Sequence, residues 1–81
     1  MAHQDIAKNR EQFVKDLKQT ASDRAIPIEG LNCRGIPDKD GFELTVESGG
    51  KKRVFTIGDS ESMKDREGEI EFIINQIIDN E

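Results

Sequence analysis

Phe42-Glu43-Leu44-Thr45-Val46-Glu47-Ser48-Gly49-Gly50-Lys51-Lys52-Arg53-Val54-Phe55-Thr56-Ile57 decides the fold. Its first half alternates apolar and polar residues, the period of a half-buried strand, and Gly49-Gly50 supplies the two φ-permissive residues of a tight primed turn. With those two glycines as the loop, Leu44 faces Phe55 and Phe42 faces Ile57, so four large apolar side chains share one face. Glu43, Glu47, Lys52 and Thr56 take the other face, with Glu47 opposite Lys52. A slip of one residue would scatter the apolar set over both faces.

A hairpin with one greasy face needs cover, and two helical patterns flank it. Upstream, Ile6, Phe13, Val14, Leu17 and Ala21 recur at helical spacing from about Gln4 to Asp23. Lys8, Glu11, Lys15 and Lys18 fall largely opposite, and Glu11 and Lys15 form a favourable pair four residues apart. Arg10 projects into the apolar stripe, where its methylenes can line the core edge while the guanidinium reaches water or a carboxylate.

Downstream, Met63, Ile70, Ile73, Ile74, Ile77 and Ile78 fall within one arc of a helix over about 63–79. Gly58-Asp59-Ser60-Glu61-Ser62 offers N-caps, and Ser62 followed by Asp65 resembles a capping box. Gly68 weakens the early part of this helix. Phe72 points away from the arc, among Glu69, Glu71, Asn75 and Asp79.

Between the first helix and the hairpin, Ala25-Ile26-Pro27-Ile28 reads as extended, because Pro27 lacks a donor and holds Ile26 out of helical geometry. It is either a short third strand or a packed connector. Glu29 to Gly41 carries Gly30, Gly35, Pro37, Asp38, Asp40 and Gly41 and reads as a long loop. The expectation is one α+β domain over residues 1–81, a two-layer α-β-β-α arrangement, extended to α-β-β-β-α if 26–28 pairs.

Composition agrees with a small folded domain. Ile, Leu, Val and Phe number 20 of 81 residues, which argues against disorder despite 36% charged residues. The core is thin, because folding at this size buries only about 60 to 65% of the unfolded surface. A single cysteine cannot close an internal disulfide, and no secretory or membrane-spanning apolar run is present, so a cytoplasmic protein is expected. The net charge of −5 is concentrated at the end of the chain, where residues 59–81 hold eight Asp/Glu against two Lys/Arg.

Catalytic chemistry has few residues to draw on. The chain contains one histidine, His3, and one cysteine, Cys33, with no motif around its hydroxyls. One His and one Cys do not meet zinc spacing. Asp38-Lys39-Asp40-Gly41 mimics part of a calcium loop, but the first ligand position falls on Ile36, and Glu47 belongs to a strand. Gly49-Gly50-Lys51-Lys52 lacks the spacing and the hydroxyl of a Walker A motif. No cofactor or metal is expected, and an enzyme with a site in the 29–41 loop is the weakest reading.

Lys51, Lys52 and Arg53 at the hairpin tip are the residues a nucleic-acid-binding alternative would use. The order of elements is similar in outline to a double-stranded RNA-binding domain, in the hairpin leading into a C-terminal helix. That family places a basic cluster at the start of its last helix. Here Lys64 and Arg66 are interspersed with Asp65, Glu67 and Glu69, so the activity is not carried over.

The leading expectation is a non-enzymatic protein-interaction module. Its surfaces are Phe72 with Glu71 and Asn75 on the acidic C-terminal helix, the region of Cys33 and Arg34, and the unpaired edges of the sheet. A second copy of the chain, meeting Phe72 in a homodimer, is one version.

Overall fold

The computed structural model describes residues 3–79, with side chains from Ile6 to Asp79. In chain order the elements are α1 (His3–Asp23), β1 (Gly30–Gly35), β2 (Phe42–Ser48), β3 (Lys51–Ile57), α2 (Asp59–Lys64) and α3 (Arg66–Asp79). The class is α+β, with the helices packed on one side of an antiparallel sheet ordered β1-β2-β3.

The hairpin forms in the register its pattern dictates. Phe42 pairs with Ile57, Leu44 with Phe55 and Glu47 with Lys52. Gly49 and Gly50 take φ of +61° and +77°, the two left-handed positions of the primed turn. Phe42, Leu44, Val46 and Ile57 are buried under Phe13, Leu17 and Ala21 of α1 and Ile70, Ile73, Ile74 and Ile77 of α3. Phe55, nearer the edge, is half-buried against the same core. Phe13 meets Phe42 edge-on, with centroids 5.4 Å apart.

The third strand forms at residues 30–35, inside the stretch expected to be loop, and not at 26–28. Leu31 pairs with Val46, Cys33 with Leu44 and Arg34 with Glu43. Two glycines and polar residues give this segment little strand propensity of its own; the open edge of β2 supplies its hydrogen bonds. Leu31 and Cys33 turn toward the core, while Asn32 and Arg34 turn to the open face. The true loop is thus 36–41, closed by Ile36 N–H donating to Gly41 carbonyl at 3.2 Å.

Residues 26–28 are a packed connector. Helix α1 ends with Ala25 at φ +57° and Ile26 N–H donating to Ala21 carbonyl at 2.8 Å, the six-to-one bond of a Schellman cap with alanine where glycine is usual. Ile26 and Ile28 then pack on the core rim.

The C-terminal helix is broken in two. Asp65 leaves helical geometry at φ −145°, and its own N–H donates to Glu61 carbonyl at 2.9 Å, ending α2. Its carboxylate then accepts the Gly68 N–H at 3.1 Å, capping α3. Ser62, expected as a cap, is instead a buried residue inside α2. The break takes Met63 off the α3 arc, and Met63 and Ile78, both expected inward, are exposed.

Candidate functional site

A polar cluster in the interior ties the elements to one another. Arg10 Nε and Nη2 donate to the two oxygens of Asp59 at 2.9 and 2.8 Å, and Nη2 also donates to Gly41 carbonyl at 3.1 Å. The guanidinium lies 5.7 Å from the Phe42 ring centroid. Hydrogen bonding to Asp59 pushes the already high Arg10 pKa further up. Beside this pair, Asn9 donates to Ser62 hydroxyl at 2.8 Å and accepts from Arg66 at 3.3 Å. Arg66 also reaches Asp16 at 3.3 Å. All these partners hold elements together, so the cluster is architectural.

β1 and β3 are the two edge strands of the sheet, and the edge of β1 runs beside a groove. The two-residue turn makes Ser48 and Lys51 a hydrogen-bonded pair, so even-numbered residues of β2 bond to β3 and odd-numbered ones to β1. In the β1–β2 register, even-numbered residues of β1 then bond to β2, as Ile36 does to Gly41. Leu31, Cys33 and Gly35 therefore direct N–H and C=O outward, and no backbone partner meets them among the described residues. Alongside, between the last turns of α1 and the start of β1, runs a groove of about 410 Å³ with Ala21, Ile26, Ile28 and Leu31 in its wall and Lys18 and Glu29 at its rim.

No family model matches the chain, and no curated protein or solved structure matches it.

The residues singled out in the sequence are distributed over separate surfaces. Cys33 and Arg34 sit on β1, with Cys33 half-buried on the helix side and Arg34 exposed on the open face. Burial pushes the Cys33 thiol up, opposite to the activation a nucleophile needs. The side chain of His3 lies outside the described residues.

Phe72 is 56% exposed and Asn75 is exposed beside it. Glu71 is on the flank facing α1, where it pairs with Arg24 and lines a groove of about 580 Å³ with Asp16, Thr20, Glu67 and Ile70.

Strand alternation divides the basic run: Lys52 is on the open face, 4.0 Å from Glu47, while Lys51 and Arg53 point the other way and each makes an interaction of its own. Among the described residues, no group of three His, Cys, Asp or Glu side chains could hold a metal ion. None of their helices is long and apolar enough to cross a membrane.

Sequence reasoning named the sheet edges and the region of Cys33 and Arg34 as separate surfaces; it did not join them, because residues 30–35 read as loop. The Arg10 anomaly left water or a carboxylate as the partner of its guanidinium, and nothing local named Asp59.

Proposed function

We propose that this chain is a non-enzymatic protein-interaction module of the cytoplasm that takes up a partner along the open edge of β1. The observation that carries the reading is the row of outward backbone groups at Leu31, Cys33 and Gly35 beside a groove of mixed polarity that exposes Ile26, Ile28 and Leu31. An unpaired edge gains its hydrogen bonds when an extended segment adds to it, and a neighbouring groove gives that segment's side chains somewhere to go. The half-buried free thiol of Cys33 supports a reducing compartment.

The test is affinity capture from the native host, comparing the wild-type chain with Cys33→Pro. Proline at 33 deletes an outward N–H and leaves the β1–β2 ladder intact. A partner held by the wild type and lost by Cys33→Pro supports the reading, whereas a partner held equally by both refutes it.

Phe72 favours a second reading, self-association through α3. An aromatic ring more than half exposed on a helix is a ready anchor for a second copy.

A further inference from the structure

Building on that reading of the β1 edge, we infer the chemistry of its partner: an extended segment of another protein, antiparallel to β1, with apolar residues toward the helices and a carboxylate opposite Arg34. The alternation of β1 sets the frame. Outward groups at Leu31, Cys33 and Gly35 make these the positions where an incoming antiparallel strand exchanges hydrogen bonds. Partner residues opposite them point to the helix side, where Ile26, Ile28 and Leu31 provide apolar contacts at the Leu31 end. Partner residues opposite Asn32 and Arg34 point to the open face.

Charge marks the Gly35 end of the edge. Arg34 is exposed and makes no ion pair within 4.0 Å among the described residues, although Glu43 is its cross-strand neighbour. On the opposite side of the same end lies Arg10, whose Nη1 is 2.6 Å from where a Cβ on Gly35 would sit. Arg10 is already neutralised by Asp59, so Arg34 is the cation that a partner strand meets at this end. A carboxylate opposite Arg34 occupies a non-hydrogen-bonded pair, the closer kind, with Cβ atoms about 4.5 to 5.5 Å apart. A lysine at that position meets like charge instead.

The test titrates the full chain with acetyl-Val-Glu-Val-Thr-Val-amide, with its Lys-for-Glu counterpart, and with a version N-methylated at the central valine, followed by amide chemical shifts. The expected result is shifts at Leu31, Cys33 and Gly35 with the Glu peptide, weaker binding of the Lys peptide by about fivefold, and none with the N-methylated one. Arg34→Glu should reverse the preference between the Glu and Lys peptides without altering the fold.

Equal binding of the two charged peptides, or shifts confined to β3 or α3, would overturn the inference. So would concentration-dependent shifts at β1 without peptide, which would mean that a second copy covers the edge. If the peptides fail while Cys33→Pro still loses its captured partner, the interaction module stands and only the partner chemistry falls.

Discussion

Arg10 on α1 and Asp59 at the start of α2 form a two-point ion pair, 2.9 and 2.8 Å long, between residues 49 positions apart. Arg10 keeps 27% of its side-chain exposure, whereas Asp59 keeps only 3%. Through Gly41 carbonyl the same guanidinium also holds the β1–β2 connection.

Arg10→Ala should therefore be among the most damaging single changes, because it leaves the Asp59 carboxylate buried without its cation. Urea unfolding is expected to show a loss of about 2 to 4 kcal/mol, at or below the range for fully buried pairs because Arg10 is partly solvated. Adding Asp59→Ala should cost little more, since the pair acts as a unit. Strict additivity of the two substitutions would contradict the coupling.

Ala25→Gly should stabilise the protein. Alanine at φ +57° bears a left-handed penalty of about 1 kcal/mol, which glycine lacks. Glycine also gives the unfolded chain more freedom, so a net gain of about 0.5 kcal/mol is expected in thermal or urea unfolding. A loss of stability would mean that the cap is not formed.

Adjacent prolines on β1 should behave differently. Cys33→Pro removes an outward N–H and should cost no more than about 1.5 kcal/mol, while Asn32→Pro deletes a ladder bond to β2 and should cost about 2 to 3 kcal/mol. Equal losses would show that the edge is not open as the register requires.

The Cys33 thiol should alkylate more slowly than a free cysteine at neutral pH, because burial raises its pKa and leaves less thiolate. The unfolded thiol releases its proton first, so stability is unaffected in acid and falls as pH rises past the ordinary thiol value. In Cys33→Ala that alkaline slope should diminish, which pH-dependent unfolding would detect.

Phe72→Ser should leave monomer stability within about 0.5 kcal/mol, as expected for an exposed side chain. If α3 mediates self-association, light scattering will find the wild type above monomer mass at high concentration and the variant below it. A wild-type monomer under those conditions removes the Phe72 reading and leaves the β1 edge.

The hairpin, its register and the apolar faces of α1 and α3 were legible in the sequence, because strand alternation, helical spacing and a glycine pair are local properties. Phe42 opposite Ile57 and the outward Phe72 followed from counting along the chain. Three features were settled only by tertiary structure. Gly30–Gly35 became a strand because β2 offered an unpaired edge, and hydrogen bonds from a distant strand outweigh weak local propensity. Asp65 became the break between α2 and α3 once Ser62 was drawn inward to Asn9, which left its carboxylate to cap the following turn. Arg10 found Asp59 because packing placed α2 beside α1, and no local pattern spans 49 residues. Sequence thus determined which face each main element buries, and the fold decided that residues 30–35 form one of the two edges of the sheet.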